Sequence, residues 1–220
     1  MNKISEEQLE KLCSHGKAID SKAGYPCVVI HPDGTATKIW AKKKKLISST
    51  SFSAYPDRFV KNAQRLAQRG VAVPEILDQA ILEGSHVRIV TYRSLPGKSL
   101  RGLLKSSPEK VNIHSLCTYF HELHHKGIHF RSLHLGNIIQ TPEGGYGLID
   151  FTDVTYYSKP LSLKRRAANI AYPMQYQDDM RMITEAGLPD LLESYLDIYQ
   201  PNPRDRQRFL TYIDSNLSLK

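Results

Sequence analysis

Two side chains that could hold a divalent cation lie close together in the second half of the chain. Asn137 ends the segment Leu133-His134-Leu135-Gly136-Asn137, and Asp150 ends the apolar run Leu148-Ile149-Asp150, with a glycine-containing turn between the two segments. Amide and carboxylate oxygens suit a hard cation such as Mg²⁺. In phosphoryl transfer, an Asn and an Asp bring Mg²⁺ to the phosphate oxygens. The pattern therefore predicts a site for Mg²⁺ and a nucleotide.

Ser132 lies five residues before Asn137, where a kinase carries the Asp that receives the proton of the acceptor hydroxyl. A general base contributes about 10²–10⁴ in rate, so its loss weakens catalysis without abolishing nucleotide binding. His134, whose unperturbed pKa lies near neutrality, and Asp153 are alternative bases. The candidate catalytic residues are therefore Ser132, His134 and Asp150, and the choice of base stays open.

The elements before position 95 are mostly strands. The first hairpin turns at Pro32-Asp33-Gly34 and carries Lys38 on its second strand. A helix with apolar residues near helical spacing follows, and Gly70 closes it. The predicted elements are strands at 26–31, 35–40, 76–82 and 87–92, a polar connector at 48–52, and helices at 5–13 and about 57–69.

The segment Leu95-Pro96-Gly97 marks a boundary, because the chain beyond it is mostly helical. Residues 112–126 carry one apolar stripe and form the clearest predicted helix. The sequence therefore predicts an α+β fold with a small β-rich N-lobe at 1–95 and a helical C-lobe at 96–220. The elements predicted in the C-lobe are a helix at 100–104, the helix at 112–126, two short strands around the turn at 141–145, and a helical tail from 161 to 217 interrupted by four prolines.

Composition places the chain among globular proteins. It has 220 residues, of which 40% are apolar and 24% charged. No apolar run approaches the roughly 20 residues that span a bilayer, and the polar N-terminus lacks the apolar core of a signal peptide. We therefore expect a cytoplasmic protein. The three cysteines have no metal-binding spacing and are expected to be reduced thiols.

The formal net charge is +8, which favours anionic partners. The densest basic clusters are Lys42–Lys45 and Lys164-Arg165-Arg166. Each cluster is either a solvated strand or loop end, or a contact with an anionic membrane face or a phosphorylated glycolipid. Arg165 and Arg166 could equally contact an anionic acceptor or cap a helix. No nucleic-acid-binding motif accompanies the charge, so no nucleic acid partner is expected.

The sequence resembles bacterial lipopolysaccharide core kinases and toluene-tolerance-type proteins, which belong to the protein-kinase-like superfamily. The resemblance covers roughly residues 20 to 160 and is most specific in its second half. The motifs that carry it are Lys38-Ile39-Trp40, Arg58-Phe59-Val60-Lys61-Asn62, Gly70-Val71-Ala72-Val73-Pro74, Leu95-Pro96-Gly97, His124-His125-Lys126-Gly127-Ile128, Leu133-His134-Leu135-Gly136-Asn137-Ile138 and Leu148-Ile149-Asp150-Phe151.

This resemblance implies a bilobal kinase-like fold that binds ATP and Mg²⁺. Lys38 would be the ATP lysine, and Tyr92 and Leu95 would lie in the hinge segment beside the adenine. Asn137 and Asp150 would be the metal ligands. The implied activity is ATP-dependent phosphorylation of a sugar such as a lipopolysaccharide core heptose, by a protein in peripheral contact with the cytoplasmic side of the inner membrane.

Several departures from the family pattern favour a different class, a pseudokinase that binds nucleotide or acts as a scaffold with little turnover. Ser132 replaces the catalytic Asp, and Asn62 stands where related kinases place the Glu that pairs with the lysine. Glu75 or Glu83 could substitute for that Glu, although the spacing of neither supports it. No glycine-rich loop precedes the first hairpin. The enzyme and pseudokinase interpretations both remain open.

The segment His121-Glu122-Leu123-His124-His125 matches the HExxH zinc motif. The third His of the extended motif would fall at position 131, which is Arg131. We therefore expect a solvated helix face instead of a zinc site. The histidines of this face are His114, His121, His124 and His125.

Overall fold

A computed structural model describes residues 1–22, 24–41 and 55–218 and divides the chain into two units, Met1–Leu95 and Pro96–Lys220. The connector predicted at 48–52 and the basic cluster Lys42–Lys45 lie outside the described residues. Among the described residues, no helix has the length and apolar character needed to cross a bilayer.

The first unit is built on a six-stranded sheet with the order β1-β5-β6-β4-β3-β2. Strand β1 pairs parallel to β5, and all other neighbours are antiparallel. The strands are β1 (Asn2–Ile4), β2 (Lys17–Lys22), β3 (Tyr25–Ile30), β4 (Thr35–Trp40), β5 (Glu75–Leu82) and β6 (Arg88–Arg93).

Two helices accompany this sheet. Helix α1 (Glu6–Ser14) begins with a capping box, in which Ser5 and Gln8 satisfy each other's backbone amides. Helix α2 (Tyr55–Ala67) buries an apolar face that includes Phe59 and Leu66, as its helical spacing predicts.

Strands β1 and β2 were not predicted from the sequence. Strand β2 is at the edge of the sheet, and its Ile19 is 44% exposed, so it lacks the alternation of buried and exposed residues that identifies a half-buried strand. With β2 in place, Lys38 is on the third strand of the antiparallel series, and α2 follows. Protein kinases place their ATP lysine on the third strand in the same way.

The second unit combines α-helices of nine to sixteen residues with short strands and one α-helix of seven residues. Strands β7, β9 and β10 form one small sheet, and β8 pairs with β11. The strands are β7 (Lys98–Ser99), β8 (Ile128–Phe130), β9 (Ile138–Gln140), β10 (Tyr146–Leu148) and β11 (Val154–Tyr156). The helices are α3 (Leu100–Ser106), α4 (Ile113–His125), α5 (Leu163–Met174), α6 (Gln177–Glu185), α7 (Leu191–Tyr199) and α8 (Pro203–Ser218).

The predicted α+β class, with a β-rich N-terminal unit and a helical C-terminal unit, is confirmed. The core of the second unit contains Phe120, Phe130, Phe151 and Tyr195, all fully buried. Because Phe130 and Phe151 flank the segments that carry Ser132 and Asp150, this core fixes the ends of the elements that hold the candidate site.

Candidate active site

Lys38 and Tyr92 share one face of the first unit's sheet. Lys38 and Ala36 are two residues apart on β4, and Tyr92 is the cross-strand partner of Ala36 on β6. Alternation along a strand therefore puts all three side chains on the same side. The Lys38 Nζ lies 5.4 Å from the ring centroid of Phe59, and the Tyr92 ring lies 5.6 Å from the same ring. Helix α2 covers this face, and a cation over an aromatic ring is a favourable contact.

The position of the missing glutamate is occupied by a buried amide. Asn62 lies one turn after Phe59 on α2 and is 7% exposed. Glu75, one of the possible substitutes, instead pairs with Arg93 at 3.2 Å. Glu83 is exposed, and Leu95 is half-buried at the end of this unit.

In the second unit, a hairpin brings Asn137 and Asp150 together. Strands β9 and β10 are antiparallel, with Ile138 opposite Leu148. The residues just outside this pair therefore face each other, and the Ile149 amide donates to the Asn137 carbonyl at 3.0 Å. The structure thus places the two predicted metal ligands at the same end of one hairpin.

Asn137 ties this hairpin to Ser132. Its Nδ2 donates to the Ser132 carbonyl oxygen at 3.0 Å, and the donor must be the amide nitrogen because a carbonyl only accepts. The amide orientation is therefore fixed, and Oδ1 is the atom that can face a cation. Asn137 is 8% exposed, so this hydrogen bond is largely shielded from water.

Asp150 adopts the left-handed conformation, with φ 54° and ψ 38°. This conformation is uncommon for a residue with a Cβ, although Asp tolerates it better than most. Such strained residues cluster at functional sites. The fully buried Phe151 follows and anchors the backbone, while Asp150 itself is exposed. The amide oxygen of Asn137 and the carboxylate of Asp150 fit Mg²⁺, which commonly takes few protein ligands together with water and phosphate.

His134 is oriented by the same loop. Its Nδ1 accepts a hydrogen bond from the Gly136 amide at 3.1 Å. Because a backbone N–H only donates, the proton of the neutral ring is on Nε2. Burial lowers the pKa of His134, and the charge of Arg101 lowers it further, whereas the charges of Asp179 and Asp150 raise it. The geometry favours a neutral donor through Nε2; the base role stays a prediction.

An ion pair that the sequence did not reveal supports this loop. Arg101 on α3 binds Asp179 on α6 through two hydrogen bonds, Nε to Oδ1 at 2.6 Å and Nη2 to Oδ2 at 2.8 Å. The Asp179 side chain is 1% exposed. A Cβ on Gly136 would lie 3.0 Å from Arg101 Nη1, so glycine allows the guanidinium to approach the loop.

Aromatic rings extend the site on the α6 side. The Tyr176 ring lies 4.9 Å from the His134 ring and 5.2 Å from the Arg101 guanidinium carbon. Beside them is an open groove of about 530 Å³. The side chains that line it include Arg101, Lys105, Gln175, Tyr176, Gln177 and Asp178.

A buried chain of hydrogen bonds lies behind the loop. Asn169 Nδ2 donates to the Phe130 carbonyl at 2.6 Å, two residues before Ser132. The Asn169 Oδ1 must then accept from His124 Nε2 at 3.2 Å, which leaves His124 Nδ1 to accept from the Tyr195 hydroxyl at 2.7 Å. Arg166 Nη1 donates to that hydroxyl at 3.2 Å. The direction of each hydrogen bond in this network is therefore fixed. The network ends at strand β8, which leads into the candidate site.

This network corrects two sequence predictions. His124 was expected on a solvated helix face, but it is fully buried. Arg166 was expected either to contact an acceptor or to cap and solvate a helix. It is 5% exposed, and besides Tyr195 it bonds the Leu161 carbonyl at 2.9 Å. Both side chains are polar members of the core.

We expect this network to make stability depend on pH. Burial, reinforced by Arg166, lowers the pKa of His124 to about 3. As the pH falls below about 6.5, His124 becomes protonated in the unfolded chain, whereas in the folded chain it stays neutral down to about pH 3. Stability is therefore full above pH 6.5 and falls through this window, by up to about 1.4 kcal/mol per pH unit.

A His124→Leu variant tests this expectation by urea unfolding at several pH values. It should cost about 2–5 kcal/mol at pH 7, because Tyr195 and Asn169 lose a partner in the core, and its stability should depend less on pH. The control is His114→Gln, at an exposed position on the same helix. A wild-type pH slope retained in the His124 variant would contradict this role.

The zinc interpretation finds no support. The rings of His121 and His125 stack with centroids 6.5 Å apart. Within the described part of the chain, no group of three or more His, Cys, Asp or Glu side chains could hold a metal ion.

Comparison with known proteins finds similar chains among the solved structures only. No family model matches the sequence, and no curated protein matches it. A co-crystal structure of WbdD with the kinase inhibitor LY294002 has 15% identity and a TM-score of 0.49, over 86% of this chain and 42% of that chain. A medium-resolution structure of the bifunctional kinase-methyltransferase WbdD has 12% identity and a TM-score of 0.49, over 86% and 46%. The chain spans less than half of these structures. At this identity, and with TM-scores below 0.5, the similarity carries no argument about this chain, and the resemblance to lipopolysaccharide core kinases and toluene-tolerance proteins stays a prediction.

Proposed function

We propose that this protein is a kinase-like phosphotransferase that uses ATP and Mg²⁺ to phosphorylate a sugar hydroxyl. The observation that carries the proposal is the loop of the second unit. Its Asn137 and Asp150 lie at one end of a hairpin, and the Asn137 amide holds the Ser132 carbonyl at 3.0 Å. This arrangement supplies the positioned oxygens that phosphoryl transfer requires.

Each remaining site residue has a defined role in this proposal. Lys38 pairs with the phosphates, and Tyr92 and Leu95 contribute to the adenine pocket. Bound Mg-ATP would supply the phosphoryl group and the cation that neutralises its oxygens. His134 donates a hydrogen bond through Nε2, either to a phosphate oxygen or to the acceptor.

The groove beside Tyr176 supports the choice of acceptor class. Its lining combines an aromatic ring with charged and amide side chains, including Arg101, Lys105 and Gln177. Such groups can stack on a sugar ring and hydrogen-bond its hydroxyls. We propose a sugar of a lipopolysaccharide core, such as a heptose, in agreement with the family resemblance. The glycolipid would be met at the cytoplasmic side of the inner membrane.

A second candidate function is a pseudokinase that binds nucleotide without appreciable transfer. Two observations favour it. Ser132 brings no carboxylate to the acceptor position, and the Nδ1 of His134 already accepts from Gly136. The same metal-holding loop would then serve nucleotide binding alone.

Transfer of labelled γ-phosphate from ATP to purified core oligosaccharide distinguishes the two functions. We expect label in the oligosaccharide when Mg²⁺ is present and none when it is chelated. Nucleotide binding without transfer to any core oligosaccharide would favour the pseudokinase. Failure of both transfer and nucleotide binding would reject both functions.

A further inference from the structure

Two segments of the second unit carry positive charge without any acidic residue. Residues 126–131 and 154–165 contain no Asp or Glu. All five of their Lys and Arg residues are exposed. We call these five residues the basic face; they are Lys126, Arg131, Lys159, Lys164 and Arg165.

The backbone brings the two segments together. Strands β8 and β11 pair with His129 opposite Thr155, and the Tyr157 amide donates to the Gly127 carbonyl at 2.8 Å. The Leu161 amide donates to the His124 carbonyl at 2.8 Å, so the segment just before α5 lies against the end of α4. The basic face is therefore one continuous region assembled from the end of α4, strand β8 and the start of α5.

The side chains of this region lie close enough to interact. The Arg165 guanidinium lies 4.1 Å from the centroid of the Tyr157 ring. Burial lowers the pKa of His129, and the nearby charges of Arg131 and Arg165 lower it further. Arg166, the next residue on α5, points into the core instead. The basic cluster read from the sequence is thus divided, with two charges outside and one inside.

We propose that the basic face binds the surface of a membrane that contains anionic phospholipids. Five exposed cations from three elements match many dispersed phosphate charges, whereas a small anion is held by groups that converge on it. A nucleic acid commonly adds stacking on exposed aromatic rings, but the ring of Tyr157 is covered by Arg165. Each basic residue near an anionic surface contributes about fivefold to binding.

The location of the basic face gives this binding a consequence. Arg131 directly precedes Ser132, so a membrane bound here lies beside the loop that carries the candidate site. A sugar close to lipid headgroups would then be within reach of that loop. This consequence rests on the proposed function, whereas membrane binding itself does not.

Sedimentation with vesicles tests the proposal. We expect the full chain to bind vesicles with 30% phosphatidylglycerol at low salt and not to bind vesicles of pure phosphatidylcholine. High salt should release the protein, because salt screens exposed charges. The double variant Lys164→Gln/Arg165→Gln should reduce partitioning by about 20-fold. Lys159→Gln/Lys164→Gln, which keeps the Arg165 contact with Tyr157, should do the same.

The matched control is Lys98→Gln/Lys110→Gln, which removes the same charge at exposed positions outside the two segments. It should reduce partitioning by no more than about threefold through net charge. Equal losses in control and test variants, equal binding to neutral vesicles, or release by millimolar inorganic phosphate at constant ionic strength would overturn the proposal. Tighter binding to RNA than to anionic vesicles would assign the face to nucleic acid. A parallel titration with Mg-ATP keeps a failure here separate from a failure of the proposed function.

Discussion

Asp150→Asn should reduce phosphoryl transfer by at least about 10²-fold. A metal ion contributes several kcal/mol to transition-state stabilisation, and each 1.36 kcal/mol corresponds to tenfold in rate. Asn is the informative substitution because it keeps the size of Asp and tolerates the left-handed conformation at φ 54°. The loss is therefore attributable to the carboxylate charge and not to the backbone.

The measurement is the initial rate of labelled phosphate transfer over a range of Mg²⁺ concentrations. Asp197→Asn, which removes one carboxylate at an exposed position on α7, is the control and should retain the activity. Transfer by Asp150→Asn at the wild-type rate and with the wild-type Mg²⁺ requirement would show that this carboxylate does not hold the metal.

Ser132→Asp should increase transfer to the true acceptor by up to about 10²-fold. The Asn137 amide fixes the Ser132 carbonyl at 3.0 Å, so a carboxylate introduced here starts from an ordered backbone. It would restore a general base, whose typical contribution is about 10²–10⁴. Rates of Ser132→Asp and Ser132→Asn, measured with the same oligosaccharide, separate the charge from the change in size.

The other outcomes of this experiment assign the base elsewhere. If His134 or Asp153 is the base, Ser132→Asp should change little, and His134→Ala or Asp153→Asn should reduce the rate. If the protein is a pseudokinase, neither the wild type nor any variant should transfer phosphate. Wild-type transfer that survives these substitutions and fails only in Asp150→Asn would contradict every base assignment while retaining the kinase.

The loop that carries Asn137 and Asp150 could be predicted from the sequence because its determinants are local. The short hairpin between Asn137 and Asp150 requires only two apolar segments and a glycine-containing turn, and the structure places both residues at its open end. Lys38 was assigned to the correct strand for the same reason. By contrast, β2 is an exposed edge strand whose residues do not alternate by burial, so its pattern carried no signal.

His124 was misjudged although the periodicity indicated its position. It lies four residues after Phe120 and seven after Cys117, on the buried stripe of α4. A polar residue on such a stripe predicts a buried partner, which Tyr195 and Asn169 provide. The partners themselves were beyond reach, because they lie 71 and 45 residues away.

The Arg101 and Asp179 pair shows the same limit. Its members are 78 residues apart, on helices that no local pattern brings together. Two hydrogen bonds and near-complete burial of Asp179 make it a support of the loop that only the folded chain reveals.

Isothermal titration of ATP into the full chain, with and without Mg²⁺, tests the central claim most directly because it needs no acceptor. We expect ATP to bind in the presence of Mg²⁺ and to bind at least about tenfold more weakly without it, with Asp150→Asn showing the weaker affinity under both conditions. The absence of binding at millimolar ATP and Mg²⁺, or equal affinity with and without the metal, would contradict a metal-dependent nucleotide site at Asn137 and Asp150.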